Sequence, residues 1–540
     1  MKNISLLSMK ISFQKTEPLV FYFIVFLHCL PVLLLKFFIT HDGPAHVYNA
    51  VLIKSLLFGE DALANNFYLL RSFPEPNWIG HAGMVLMSFV MSPVTAERIL
   101  LLSYIILLPV LFRRLIRLTN SGSPLLSYLI IPFIYSYVFY GGLYNFMLGI
   151  PLLLFALLFL LNRKLPLRKM DFLFVFFTGL LIYFSHLLIF GIYLLLIPIV
   201  FFIQHQCQAK IISGVITASK KSLIKNILLS LLMLLPGLAL SAKFIFEKAS
   251  LHSVSMPANF WNLFYDLAIV NPVIALTDSG EVKHGIALGV VMLLLFAGAV
   301  FSRWKNRSTG ISPIPGPHNH SIFWLTASIL MLVFYFVIPD DFATGGVVKV
   351  RFSYFFFLFG ILWLASQKIP SVVIRYSTAA VILLSLVRLF HFSNSSRQLS
   401  HDAEVFYSAS ELIEPNSIVL PLNYSTNWMH SNISNYLGTY NHSIVLDNYE
   451  AGREHFPLTW NENRNPVVLM GSFNGLPPLC ANVFEFEKNT SGKIDYIILW
   501  RYQTIMTDTC TQQIQSILRS NYSLCFKSLD RQLYMYKRND

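Results

Sequence analysis

The stretch "LVFYFIVFLHCLPVLLLKFFITHDGPAHVYNA" (Leu19–Ala50) decides how the chain is read. Leu19–Ile39 is apolar enough to cross a membrane, which takes about 20 such residues. The chain then presents His41, Asp42 and His46. Ionisable groups at a membrane boundary are costly to hold in place and often carry function. Two readings of Asp42 compete. In one it is the N-cap of a helix over residues 42–50, with His46 one turn on along the same face. In the other it is a general base whose pKa is tuned by partial burial. A third reading makes His41, Asp42 and His46 metal ligands by residue type. No further ligand is evident nearby, so no metal is assigned.

The rest of the chain extends the first run. Of 540 residues, 55% are hydrophobic and 15% aromatic, only 12% are charged, and the mean hydropathy is +0.59. That composition is far from a soluble globular protein and points to a polytopic membrane protein. A cleavable signal peptide is not expected, because the first apolar run is too long and no small-residue cleavage site follows it. Residues 393–540 hold 11 Lys and Arg against 14 Asp and Glu, a net of −3. The remaining residues hold 29 against 13, a net of +16. The basic excess sits in short segments: Arg113–Arg117, Asn162–Lys169, Lys220–Lys225 and Arg303–Arg307. Charges so placed mark cytoplasmic loops and argue against a nucleic-acid partner.

With those loops inside, eleven spans are expected: 19–39, 98–115, 124–140, 147–161, 171–185, 187–203, 226–242, 285–302, 321–339, 350–366 and 371–391. The apolar run Trp78–Met91 would invert this topology, so it is read as a helix lying in the outer interface. With the basic loops inside, the N-terminus is cytoplasmic, and an odd span count then puts the tail outside, which for a bacterial chain means inner membrane and periplasm. The fold class is therefore a polytopic α-helical membrane protein with a small C-terminal extracytoplasmic α/β domain. Its domains are 1–392, including a first outside loop at 40–97, and 393–540.

The tail alternates strand-like runs with one amphipathic helix. Ser417–Leu422, Ser443–Asp447, Pro466–Met470, Ile494–Trp500 and Arg531–Arg538 read as strands, and Asp508–Ser520 as the helix. Asn423, Asn432 and Asn521 lie in Asn-x-Ser/Thr sequons, meaningful only in a eukaryotic lumen. Cys480, Cys510 and Cys525 allow one disulfide and one free thiol, and the pairing stays open. Residues 308–320 read as a plain linker.

Polar chemistry collects on the outer face. Lys349 and Arg351 stand at the outer end of a span, as phosphate-binding cations or as lipid anchors. His186, at an outer turn, is a substrate contact or a buried histidine satisfied by a carbonyl. Tyr144 and Asn145 are sugar-binding candidates, with Asn145 alternatively capping the helix that follows. Asp340 and Asp341 are a second carboxylate source or a solvated loop.

From Asp42 onward the order of features resembles a family. A first span ends in an acidic residue, a long outside loop follows, then comes "PNWIGHAGMVLMSFVM" (Pro76–Met91). An Arg-led span, "TAERILLLSYIILLPVLFRRLIRL" (Thr95–Leu118), closes the pattern. This resembles the GT-C glycosyltransferases, in the branch of the protein O-mannosyltransferases and the lipid A aminoarabinose transferases. The acidic pair usual in that branch is here Asp42–Gly43. The resemblance implies an inverting transferase that takes a sugar from a polyprenyl-phosphate donor in the lipid bilayer to a glycan, lipid or protein acceptor. It implies that Asp42 is the catalytic base; His46, Tyr144, Asn145, His186, Lys349 and Arg351 are the substrate-binding candidates from their own place on the outer face. No cofactor is called for. The rival from another class is a transporter or flippase, disfavoured because mid-span charges are scarce and no repeat is visible.

Overall fold

The structure, a computed structural model, describes residues 2–59, 61–71, 75–119, 124–211, 220–248, 259–276, 278–308, 320–341, 346–453, 455–473, 475, 479–490, 492–502 and 508–539. Most of the linker at 308–320 and part of the 338–352 loop lie outside them. Among the described residues, nine helices are long and apolar enough to cross a membrane: Thr16–Leu34, Pro93–Leu118, Tyr144–Leu161, Leu187–Gln206, Lys220–Lys248, Ser279–Lys305, His320–Val337, Val348–Ala365 and Ser371–Ser410.

Two of the eleven expected spans differ. Lys169–Ser185 is an α-helix of 17 residues, at the short limit of what crosses a bilayer. Residues 124–140 do not form one α-helix. Pro124–Phe133 is a 3-10 helix, followed by a bend and the short helix Tyr137–Tyr140. Pro132 has no N–H to continue a helical ladder. Ten residues of 3-10 helix rise only about 20 Å, short of a hydrocarbon core of about 30 Å. Two further boundaries shift. The first helix ends at Leu34 rather than Ile39. The last runs unbroken over Ser371–Ser410, about twice the length a bilayer needs. Trp78–Met91 contains a nine-residue helix, Ile79–Met87, too short to cross.

The chain divides into two compact units. One comprises residues 1–34, 101–139 and 146–393, the other 35–100, 140–145 and 394–540. In the first, buried charge is consistently partnered. Arg113, which the loop reading places at a membrane surface, instead lies inside the helix Pro93–Thr119 and is 1% exposed. Its guanidinium forks onto Glu17 at 2.9 and 2.6 Å and also donates to Ser127 at 2.8 Å. Arg388 donates to the carbonyls of Tyr135 and Val273 at 3.0 and 2.6 Å. Tyr104 and Tyr354 join their hydroxyls at 3.0 Å.

The second unit holds the sheets. The strands are β1 Tyr68–Leu70, β2 Ile418–Asn423, β3 Ile444–Val445, β4 Leu458–Trp460, β5 Tyr496–Trp500, β6 Tyr522–Lys527 and β7 Leu533–Arg538. Five of them form one mixed sheet in the order β3-β2-β5-β7-β6, parallel across β3-β2-β5 and antiparallel beyond. The central strands β2 and β5 are almost continuously buried, which is why their sequences read "IVLPL" and "YIILW" without alternation. A second ribbon pairs β1 with β4, Tyr68 opposite Trp460. This ribbon anchors the first loop on a tail strand.

Pro466–Met470 is a short helix, not a strand. Asn465 accepts the N–H of Val467, and Pro466 stands in the first turn, where its missing N–H costs nothing. Asp508 likewise caps the helix Thr509–Asn521 by accepting from Thr511. The disulfide left open by the sequence joins Cys480 to Cys510, and Cys525 is free and exposed.

Arg113→Gln leaves the Glu17 carboxylate buried without its fork. Thermal unfolding of the full chain in detergent, followed by tryptophan fluorescence, should show a loss of about 3–5 kcal/mol. The double variant with Glu17→Gln should recover most of it.

Candidate functional site

The site grows from the chain reversal at "THDGP" in the second unit. The helix Gly43–Phe58 starts with Pro44 in its first turn. Asp42 occupies the N-cap position, yet its side chain makes no capping hydrogen bond. The simple cap reading therefore fails. The carboxylate instead accepts from Asn432 Nδ2 at 3.3 Å, and the Tyr449 hydroxyl lies beside it. His41 Nε2 is 3.6 Å away, and Asp42 keeps 13% of its side chain exposed. Burial pushes its pKa above the ordinary carboxylate value, against the pull of His41 and His46. His41 is itself held, its Nδ1 2.8 Å from the Trp428 carbonyl and its backbone N–H donating to Tyr140 at 2.7 Å.

Two glycines let the chain pack this closely. Gly142 has φ +71, and a Cβ there would lie 2.7 Å from the Asp42 nitrogen. A Cβ on Gly43 would meet Glu97 Oε1, Thr40 Oγ1 and the Tyr144 hydroxyl at 2.5–2.6 Å. The three groups around Gly43 form their own chain. Tyr144 donates to Glu97 at 2.5 Å and lies 2.8 Å from Thr40 Oγ1, while Tyr436 donates to the other Glu97 oxygen at 3.2 Å. Glu97 is 2% exposed and is satisfied by two phenols, a buried structural carboxylate.

His46 turns away from Asp42 toward a second cluster. Its Nε2 donates to the Gly142 carbonyl at 2.9 Å, and its Nδ1 lies 2.6 Å from Glu450 Oε1. His81 Nε2 is 3.0 Å from Glu450 Oε2 and 3.3 Å from His46 Nδ1. Asn49 donates to Glu450 Oε2 at 2.7 Å, and Asn49 and Asn448 exchange amide hydrogen bonds at 3.2 and 2.7 Å. Burial alone would raise the Glu450 pKa, but the imidazoles hold it down to about 2. Among the described residues, His46, His81 and Glu450 are the group able to hold a metal ion.

Four of the sequence candidates thus share one neighbourhood: Asp42, His46, Tyr144 and Asn145. Asn145 stands inside the helix Tyr144–Leu161, one residue past its start, rather than at the N-cap position. It accepts the Gly80 N–H at 2.7 Å, satisfying an open donor in the first turn of Ile79–Met87. The Tyr144 hydroxyl, expected on a sugar, is engaged by Glu97 and Thr40.

The other three candidates lie in the first unit. Arg351 Nη1 is 3.1 Å from His186 Nε2, and its guanidinium stacks over Phe146 at 5.2 Å. Lys349 is not paired with them. Its ammonium donates to the carbonyls of Tyr335 and Ile338 at 2.8 and 3.1 Å, while Asp340 accepts its backbone N–H at 2.8 Å. Those carbonyls lie where the helix His320–Val337 ends. Lys349 therefore caps that helix rather than standing ready as a phosphate clamp.

Sequence reasoning gave no site role to His81, Glu97, Glu450 or Tyr449, and noted Asn432 only as part of a sequon. His81 lies inside the quoted outer-loop run, and Glu97 opens the Arg-led span. For Glu450 no local pattern exists, because its partner His81 is 369 residues away. The chain matches no family model, and no curated protein matches it.

Gly142→Ala should destabilise the full chain by about 1–3 kcal/mol, through the positive φ and the contact with Asp42, as read by thermal unfolding. Asp447 offers a pH test. It accepts from Ser434 and, at 3.2 Å, from Asn435, and burial raises its pKa to about 7. The folded state then holds a proton that the unfolded state releases near the ordinary value of 3.8. Its contribution is therefore greatest below that value and is lost as pH rises toward about 7. Melting curves of Asp447→Asn between these limits should lack the decline that the parent chain shows.

Proposed function

We propose that the chain is an integral membrane glycosyltransferase of the inverting type, moving a sugar from a polyprenyl-phosphate donor to an extracytoplasmic acceptor. The observation that carries this reading is Asp42. It is a carboxylate at a helix start that does not cap the helix, is held from one side by Asn432, and remains partly exposed. A group so placed, with a raised pKa, suits proton abstraction. The nine long apolar helices suit a donor that enters from the bilayer. Nucleotide sugars are absent outside the cytoplasmic membrane, so a donor there must be lipid-linked.

In this mechanism the acceptor hydroxyl gives its proton to Asp42 as its oxygen attacks the anomeric carbon. The bond from that carbon to the phosphate oxygen breaks, and the polyprenyl phosphate leaves with the electron pair. Inversion follows from the single in-line displacement. The departing phosphate gains charge and needs a cation. An arginine suits that role, because its planar fork matches phosphate oxygens. The reading also places the N-terminus in the cytoplasm and the C-terminal domain in the periplasm of a bacterial inner membrane.

The test uses membranes charged with radiolabelled polyprenyl-phosphate sugars. Asp42→Asn should lower transfer by about 10²-fold or more at unchanged protein level, because the helix loses no cap. Undiminished transfer by Asp42→Asn would remove the base. Failure of the parent chain to consume any lipid-linked sugar would favour a transporter.

A further inference from the structure

The cluster of His46, His81 and Glu450 has a logic of its own, independent of glycosyl transfer. The three side chains come from three segments: the helix Gly43–Phe58, the helix Ile79–Met87 and the turn Glu450–Gly452. They are 2%, 1% and 0% exposed. The Gly142 carbonyl facing His46 Nε2 only accepts, so that nitrogen carries a hydrogen. In a neutral ring, Nδ1 is then a bare lone pair, and it points at a carboxylate oxygen 2.6 Å away. Two lone pairs cannot face each other so closely in a dry interior. A positive charge has to lie between them, and it is either a second proton or a metal ion.

A proton sits on one line between two atoms. Here three donors converge, because His81 Nε2 lies 3.0 Å from Glu450 Oε2 and 3.3 Å from His46 Nδ1. A tetrahedral zinc ion with bonds of about 2.0–2.1 Å separates its ligand atoms by about 3.3–3.4 Å. The edges from His81 Nε2 to Glu450 Oε2 and to His46 Nδ1 are within a few tenths of an ångström of that, while the 2.6 Å contact of His46 runs to the other carboxylate oxygen, Oε1. One ligand atom from each residue places all three within 4.8 Å of one another. Around His46 and Glu450 the surroundings are those of metal ligands, while His81 Nδ1 is buried with no hydrogen-bond partner. His46 gives its outer N–H to a backbone carbonyl, and Asn49 holds a Glu450 oxygen at 2.7 Å. Tyr144 and Phe456 cover the rings at 4.8 and 5.8 Å from His46.

We propose that His46 Nδ1, His81 Nε2 and the Glu450 carboxylate form a zinc site. Two imidazoles and one carboxylate suit zinc better than magnesium or calcium, which take oxygen ligands. Three protein ligands leave a fourth position for water. Bound there, zinc fastens two helices of the first loop to the turn that follows β3, so its loss loosens this unit whatever reaction the chain performs.

The experiment uses the full chain, purified in detergent without an affinity tag. Metal content is measured by mass spectrometry, and the visible spectrum is recorded after exchange with cobalt(II). The parent chain should carry one equivalent of zinc and show the intense bands of tetrahedral cobalt. A chelator should lower its melting temperature, and zinc but not magnesium should restore it. His81→Ala and Glu450→Gln should lose the metal, while His442→Ala, at a more exposed histidine, should keep it. A parent chain with no zinc, no cobalt spectrum and a melting temperature indifferent to both chelator and metal would overturn the proposal in favour of a protonated His46. Zinc retained in both ligand variants would overturn it by placing the ion elsewhere. The parent chain's cobalt spectrum decides the matter even if a variant fails to fold.

Discussion

Glu450 has no exposed surface, and a lone carboxylate in that position would cost several kcal/mol. Its burial is tolerable only because His46, His81 and Asn49 converge on it. That requirement orders the second unit. It fixes the rotation of the helix Gly43–Phe58, which in turn sets where Asp42 stands at its start. It seats Ile79–Met87, whose first turn is completed by Asn145. It also brings the turn after β3 against residues of the first loop. Removing the charge balance at this point would leave each of these segments with an unpaired polar group.

The same rule governs the first unit with different residues. Glu17 is matched by the fork of Arg113, and Arg388 is matched by backbone carbonyls. Glu281 is fully buried and accepts two backbone N–H groups, from Ala275 and Leu276, with His391 at 3.3 Å. In a chain with so few charges, those that are buried hold elements in place. Asp42 departs from this pattern. Its carboxylate has a modest amide donor in Asn432, the Tyr449 hydroxyl beside it and some exposure, where Glu97 has two phenols and almost none. That remaining exposure is what separates a group available for chemistry from one committed to structure.

Zinc binding and proton abstraction would make different demands on neighbouring side chains. His46 faces Glu450 through Nδ1 and Gly142 through Nε2, leaving no ring nitrogen for Asp42. The influence of His46 on Asp42 is therefore electrostatic, through space. A divalent ion at His46 would strengthen the field that favours the charged form of Asp42 and oppose the effect of burial.

Much of the fold was legible in the sequence because helices long and apolar enough to cross a membrane depend on composition over some twenty residues, a property local to each segment. The tail strands β2, β5 and β7 were legible for a similar reason, as were the helix after Asp508 and the place of Asp42 at the end of the first apolar run. Local chemistry was also present but misread at Asn465–Pro466, where an Asx-capped proline starts a helix inside an apolar run. It was misread again at Pro124 and Pro132, which turn an apparent span into a 3-10 helix. The partners of buried polar groups were not legible. Arg113 looks like a loop charge until Glu17 is placed beside it, Lys349 looks like an anion clamp until two carbonyls are found on it, and His81 has no visible role until Glu450 arrives from 369 residues away. Hydrophobicity acts segment by segment and is written along the chain. Pairing of buried charges acts between segments, and only the tertiary structure decides which ones meet.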